Sequence, residues 1–197
     1  ASGTISAAQE RPAAAINMAA YNDRYGGCIA GSSKALLASG KLCNVSDLSK
    51  GDHIAVGDGT SAEISCVVRT RCCRQRAMLV ELPGGVRLTP YHPVQVLGEW
   101  RFPIELADAK DYDCDFVYSF IVHGASFLLV NGLPCVALGH GLEQGAAAHA
   151  YFASRQVIAD ISAMPGYEEG LVELSPECVV RDPATGAVCG LRSEWQP

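Results

Sequence analysis

Two short stretches of the sequence contain residue types that together can break a peptide bond. In the first, the thiol of Cys28 follows directly on the carbonyl of Gly27, and in the second, Thr89 precedes His92 by three residues. A thiol that attacks the carbonyl next to it needs an acid to protonate the departing amide nitrogen, and an imidazole gives and takes protons near neutral pH. The two stretches therefore predict a site at which the chain acts on itself.

Each residue then has an expected role in this chemistry. Cys28 is the nucleophile, His92 is the acid, and Thr89 holds the amide by a hydrogen bond. Gly27 leaves the attacked carbonyl uncrowded and tolerates a strained backbone. The product is a thioester in place of the Gly27–Cys28 peptide bond. Each stretch alone has an alternative interpretation. The first would be a turn that leads into a strand, and His92 in the second would be a core or loop histidine held by its neighbouring prolines.

The residues that must be positioned lie in a chain of short β-type runs. Apolar and β-branched residues alternate within runs of four to eight, and turn signals such as Pro-Gly-Gly and Asn-Gly separate them. This regular spacing predicts an all-β architecture, in which Val45–Leu48 is the only short helix that we expect. A separate short helix is predicted upstream, within residues 12–21.

Four motifs occur in a fixed order along this β region. They are Gly27-Cys28-Ile29-Ala30-Gly31, the run 45–54 with its Asp-Leu-Ser-Lys-Gly-Asp turn, the run Leu88-Thr89-Pro90-Tyr91-His92-Pro93-Val94, and Phe127-Leu128-Leu129-Val130-Asn131-Gly132. Together they resemble the Hedgehog/intein (Hint) autoprocessing fold over residues 28–141. The runs 98–103 and 138–141 are most similar to the Vint branch, whose Hint domains follow a von Willebrand factor A domain.

The resemblance implies a Hint-type horseshoe β-fold and three segments. Residues 1–27 would be an N-terminal flanking tail, like an extein, and residues 28–141 would be the autoprocessing domain. Residues 142–197 would be a small α/β appendage in the position of the adduct-recognition region of Hedgehog-related proteins. Helices are predicted within residues 145–153 and 155–164, followed by short strands. A structural cap on the β core is the alternative role of this appendage.

The sequence departs from the splicing pattern of inteins. His140 is followed by Gly141 rather than by Asn, Asn131 lies inside a predicted turn, and Ser119 replaces the Asp that is usual in the strand before the last motif. We therefore expect cleavage at Gly27–Cys28 without splicing. Water, a small thiol or another nucleophile, including an unknown adduct, would release the segment that ends at Gly27.

Two further residues are candidates for secondary roles. If the last strand of the fold returns beside the first, Cys135 could form a disulfide with Cys28 or accept the acyl group, whereas a buried inert thiol is the alternative. His140 could assist a C-terminal step.

Four arginines form a basic run in a chain of net charge −6. Arg69 and Arg71 share one face of a predicted strand, and Arg74 and Arg76 follow after a turn, which could give an anion-binding strip. The alternative function is thus an inactive Hint-like module that binds a sulfated polysaccharide, another polyanion or a protein. A solvated hairpin tip is the common meaning of such a run.

Composition limits the remaining possibilities. A chain of 197 residues that is 49% hydrophobic can bury a substantial core. Its nine cysteines show no zinc-ligand spacing, so we expect neither a metal nor another cofactor. We also expect no transmembrane segment, no signal peptide in this sequence, and a monomer. A thiol protease that acts on other proteins is a third possibility, but no Asn or Asp is evident to orient the histidine.

Overall fold

The structure is a computed structural model, and it describes residues 27–57 and 59–193. The predicted helix within residues 12–21 and the flanking tail up to residue 26 lie outside the described residues. The described residues form strands and helices with the following bounds: β1 (Ile29–Ala30), β2 (Lys34–Leu36), β3 (Leu42–Asn44), β4 (His53–Gly57), β5 (Thr60–Arg71), β6 (Arg76–Leu82), β7 (Val86–Leu88), β8 (Val94–Val96), β9 (Glu99–Arg101), α1 (Pro103–Leu106), β10 (Ala109–Asp113), β11 (Phe116–His123), β12 (Phe127–Val130), β13 (Leu133–Val136), α2 (Arg155–Ser162), β14 (Leu171–Leu174), β15 (Val179–Arg181) and β16 (Val188–Leu191).

The short strand β1 lies in the middle of the largest sheet. That sheet has the order β10-β6-β7-β1-β11-β5-β14, and β4 also pairs with β5. A second sheet has the order β3-β2-β12-β13-β8-β9, and β15 pairs with β16. The expected all-β horseshoe with a small C-terminal α/β appendage is confirmed.

The apolar core explains why so short a strand is held in place. Ile29 of β1 is fully buried, together with Leu88 of β7 and Phe120 of β11. Burying a side chain of this size contributes roughly 1.5–3 kcal/mol, whereas a strand hydrogen bond contributes only about 0.5–1.5 kcal/mol net. Packing on both sides of β1, more than its few hydrogen bonds, therefore fixes its position.

Turn residues predicted from the sequence set the registers of the hairpins. Asn131 and Gly132 both have positive φ, 50° and 79°, as the tight turn between β12 and β13 requires. Gly84 and Gly85 likewise close the hairpin of β6 and β7 with φ of 89° and 79°. The short helix expected at Val45–Leu48 is a 3-10 turn over Val45–Asp47. The expectation that it is the only short helix in the β region is wrong, because α1 is another.

The C-terminal residues join the large sheet. β14 pairs in parallel with β5, and Val172 lies opposite Val68. Helix α2 buries Val157 and Ile161 in a second apolar cluster that also contains Val68. The boundary that we place at residue 141 stays a prediction, but the strands on either side of it share one sheet.

The prediction of one of the two helices in the appendage is wrong. Residues 155–164 contain α2, whereas the run 145–153 contains only a 3-10 turn over Gly145–Ala147. The Nδ1 atom of His149 accepts hydrogen bonds from the backbone N–H groups of Tyr151 and Phe152. These N–H groups therefore have a side-chain partner in place of the backbone carbonyls of a helix. No helix in the described part of the chain has the length and apolar content needed to cross a membrane.

Candidate active site

Strand register brings two hydroxyl side chains to the two sides of Cys28. Ile29 pairs with Leu88 of β7 on one side and with Tyr118 of β11 on the other. In antiparallel pairing the preceding residue of one strand meets the following residue of the other. Cys28, only 3% exposed, therefore lies between Thr89 and Ser119.

Thr89 holds the backbone of Cys28 through three hydrogen bonds. The Cys28 N–H donates to Thr89 Oγ1 at 2.9 Å, and the Thr89 N–H donates to the Cys28 carbonyl at 2.9 Å. The hydroxyl also lies 3.3 Å from that carbonyl as a donor. The nitrogen of the Gly27–Cys28 peptide bond is thus fixed by the residue that we expect to orient it.

His92 reaches the same peptide bond from a tight turn. The His92 N–H donates to the Thr89 carbonyl at 3.2 Å, and Pro90 supplies the fixed φ that favours such a turn. A Cβ atom placed on Gly27 would lie 3.3 Å from His92 Nδ1 and 3.4 Å from His92 Cα. The imidazole therefore packs directly against the backbone that carries the attacked carbonyl, and a side chain at position 27 would crowd it.

The environment of His92 keeps its ring neutral. Burial lowers the pKa of His92 to about 4, the Gly27 backbone opposes part of this fall, and the nearby His140 adds to it. Neither ring nitrogen forms a hydrogen bond of acceptable geometry with the described residues, so the Gly27 backbone lies near the ring without satisfying it. A buried polar group without a partner typically costs about 1–3 kcal/mol, so His92 is not explained as a stabilising core residue.

Ser119 is a residue that we did not select from the sequence. Its hydroxyl lies 2.9 Å from the Gly27 carbonyl oxygen and 3.3 Å from the sulfur of Cys28. In the sequence, position 119 was notable only because a serine stands where an Asp is usual. Knowledge that β11 pairs beside Cys28 would have been needed to identify this serine as part of the site. Three side chains thus surround one peptide bond: Thr89 at its nitrogen, Ser119 at its oxygen and His92 at its glycine.

A small apolar pocket opens beside this bond. Gly27 and Ser119 form part of its wall, and most of the rest is apolar or aromatic. His140 and His149 also line it, and burial lowers the pKa of both, that of His140 to about 4. The pocket therefore lies next to the peptide bond that we expect to be cleaved.

The two candidate secondary residues differ in their surroundings. Cys135 is fully buried on β13, which pairs with β12 and β8, so the expectation that the last strand returns beside β1 is wrong. Cys135 carries a free thiol and forms no disulfide with Cys28, and burial raises its pKa. His140 Nδ1 accepts the Leu142 N–H at 3.0 Å, which holds this ring at the wall of the pocket.

The four arginines do not form one open cationic strip. Arg69 and Arg71 both bind Glu173 and stack on the ring of Phe116. Arg76 binds Asp111 and Asp113, whereas Arg74 lies in the turn after β5 with a positive φ of 56°. Neighbouring carboxylates therefore compete with any polyanion for three of these guanidinium groups. Within residues 27–57 and 59–193, no group of three or more His, Cys, Asp or Glu side chains could hold a metal ion.

The chain matches one family model and is similar to several solved structures. The model of the family described as Vint, a Hint domain, matches residues 27–190. Among solved structures, a DnaB intein from Synechocystis sp. PCC 6803 is similar with a TM-score of 0.45 and 22% identity, over 57% of this chain and 99% of that one. The gp41-1 intein is similar with a TM-score of 0.44 and 11% identity, over 56% of this chain and 98% of that one. No curated protein matches the chain.

Proposed function

Since the chain belongs to the Vint family of Hint domains, we propose that it cleaves its own peptide bond between Gly27 and Cys28 through a thioester. The observation that carries this proposal is the set of contacts around that single bond. Thr89 binds its nitrogen, and His92 packs against its glycine. Cys28 lies between β7 and β11, directly before β1. A peptide bond held in this way is prepared for attack by the neighbouring sulfur.

The first step is an N-to-S acyl shift. The sulfur of Cys28 adds to the Gly27 carbonyl carbon, its thiol proton is released in the course of the step to water, and the carbon–nitrogen bond then breaks. His92, in its protonated form, gives its proton to the departing nitrogen of Cys28, while Thr89 keeps that nitrogen in place. The product is an acyl group on sulfur and a new amine at Cys28.

The second step releases the upstream segment. Water, a small thiol or another nucleophile enters through the pocket beside Gly27 and attacks the thioester. The segment then leaves with Gly27 at its end, and the thiol of Cys28 is restored. Splicing is not part of the proposal, because His140 is followed by Gly141 and not by an Asn that could cyclise.

The chain itself is the test substrate. Incubation of the folded protein with dithiothreitol or hydroxylamine should release a fragment that ends at Gly27, as measured by intact mass. The variant C28A should release nothing, because the nucleophile is gone, whereas C189A changes an exposed cysteine far along the chain and should behave as wild type. Persistence of the intact wild-type chain under these conditions, with its fold preserved, would rule the proposal out.

A further inference from the structure

The hydroxyl of Ser119 touches both atoms that change bonding when sulfur adds to the carbonyl. It lies 2.9 Å from the Gly27 oxygen, which receives electrons, and 3.3 Å from the Cys28 sulfur, which loses a proton. Ser119 itself is only 7% exposed, so its rotamer is set by the packing of β11 against β1 and β5. No other role follows from its place in the sheet, where its strand partner is Val68.

A hydroxyl can form hydrogen bonds with both atoms at once only if it donates to one of them and accepts from the other. It has one proton to donate and lone pairs with which to accept. When Ser119 donates to the Gly27 oxygen, its own oxygen can accept the thiol proton of Cys28. The two contacts then form a continuous path from sulfur to the carbonyl oxygen.

The surroundings make this path preferable to charged intermediates. Cys28 belongs to a buried cluster with Ala30, Leu79 and Val117, and an unpaired charge in such a cluster is strongly disfavoured. Addition through a separate thiolate would place a negative charge on sulfur and then on oxygen. A concerted transfer of both protons keeps the sulfur and the carbonyl oxygen neutral during the addition.

We propose, on the basis of the self-cleavage described above, that Ser119 is a catalytic proton relay for the addition step. As the sulfur–carbon bond forms, the thiol proton moves to Ser119 Oγ, and the Ser119 hydroxyl proton moves to the Gly27 oxygen. The π electrons of the carbonyl become the new O–H bond, so the tetrahedral carbon carries a neutral hydroxyl. In the collapse, that hydroxyl proton leaves to water in the pocket, and a proton that His92 has taken from solvent goes to the Cys28 nitrogen.

The proposal makes a statement about pH that a merely structural serine would not. Other titratable groups that face the site are His92, with His140 near it, and Cys72, which shares the buried cluster with Cys28. His149 lines the pocket beside Gly27, and Cys178 lines a second small pocket with Cys28 and Ser119. The pKa of His92 and of His140 is about 4, and a hydrogen bond to Cys114 together with burial raises that of Cys72. None of these three changes charge substantially between pH 5.5 and 7. With the relay, the thiol reacts in its neutral form, and only the protonation of His92 gives the rate a pH dependence.

The experiment compares S119A with wild type from pH 7 to pH 5.5. Fragment release is followed by mass at hydroxylamine concentrations beyond which the rate no longer rises, so that the acyl shift limits the rate. Wild type should gain about tenfold per unit of falling pH. S119A should be about 100-fold slower at pH 7, as for the loss of one donor to a developing oxyanion. The rate of S119A should no longer depend on pH. Without the relay, the reaction must use the Cys28 thiolate, and its fraction falls with pH by the same factor by which the protonated fraction of His92 rises.

Two further variants separate a relay from a packing effect. S119T keeps the hydroxyl and should recover most of the rate and the wild-type pH slope. S33A removes another buried hydroxyl, one that accepts the Arg87 N–H, and should keep the wild-type slope whatever it does to stability. Circular dichroism and thermal melting report whether each variant is folded.

The possible results distinguish the two proposals. If wild type releases no fragment, self-cleavage itself fails. If wild type releases the fragment and folded S119A does so at the same rate or with the same slope, cleavage stands and the relay is overturned.

Discussion

At the scale of single residues, His92 has to reconcile burial with acid catalysis. A buried imidazole favours its neutral form, and the pKa of about 4 means that roughly one protein in a thousand carries the proton at pH 7. That rare form is a much stronger acid than an exposed histidine. The cleavage rate therefore depends both on the fraction of His92 that is protonated, which changes with pH, and on the acidity of that protonated form.

The direction of this dependence follows from the sign of the pKa shift. Because the pKa is lowered, protonation of His92 is incomplete throughout the range above pH 4, and each unit of falling pH raises its protonated fraction about tenfold. We expect the rate of fragment release at saturating hydroxylamine, where the acyl shift limits the rate, to rise accordingly between pH 7 and pH 5.5, and H92A to lose this rise along with most of its activity. A rate that falls in the same range would contradict His92 as the acid.

Sequence reasoning could find those candidate catalytic side chains that stand in recognisable motifs. Cys28, Thr89 and His92 were selected in this way, and the structure gathers them around one peptide bond. Ser119 was missed because its function depends on which residue β11 places opposite Cys28. A register between strands some 90 residues apart is set by packing and not by any local pattern.

At the scale of elements, the end of β1 must pass through a narrow gap. A Cβ atom on Gly31 would lie 2.8 Å from the ring of Tyr118 and 3.0 Å from Cβ of Ser46. These atoms belong to β11 and to the 3-10 turn over Val45–Asp47, which together fix the exit of β1. Only a residue without a side chain can follow β1 at this distance.

We therefore predict that G31A weakens the fold and slows cleavage. Overpacking of this kind typically costs about 1–3 kcal/mol, and any movement of β1 also moves Cys28 relative to Thr89. Urea denaturation measures the first effect and fragment release the second. G190A is the matched control, since its new Cβ atom would meet only ordinary contacts, the nearest at 3.5 Å from Val180. Equal stability of the two variants would show that β1 has room to adjust.

Element types were more predictable than their partners. Alternating runs and Asn-Gly or Gly-Gly turns identified the hairpins of β6 with β7 and of β12 with β13. Helix α2 also followed from its sequence, whereas residues 145–153 did not form the predicted helix because His149 binds the next backbone N–H groups. Side-chain capture of the backbone overrides helix propensity there.

At the scale of the whole molecule, the C-terminal region completes the large sheet. Cys66, Val68 and Ile121 on β5 and β11 are buried against side chains that come after residue 141. Without those side chains, the edge of β5 and the apolar face beside it would be exposed to water. The position of β14 in the sheet was not predictable, because a parallel pairing between distant segments leaves no local signal.

Truncation tests this dependence directly. A chain that ends at Gly141 should be largely insoluble or unfolded and should release no fragment, because it loses β14 and the cover of the second apolar cluster. A chain that ends at Ser193 keeps every described element and should behave as the full chain. Soluble yield, thermal melting and fragment release are the measurements. A stable and active chain of residues 1–141 would mean that the later residues serve only as an appendage.

The hydrogen bonds that Thr89 makes to Cys28 also bear on the proposed acyl shift, after the acyl group would have moved to sulfur. They hold the newly formed amine beside the thioester instead of letting it diffuse away, so recapture of the acyl group is an intramolecular step with a high effective concentration. Left alone, the molecule would exchange between two isomers of equal mass without losing its upstream segment. Irreversibility then comes from outside the fold, and the supply of the attacking molecule decides when the two parts of the chain separate.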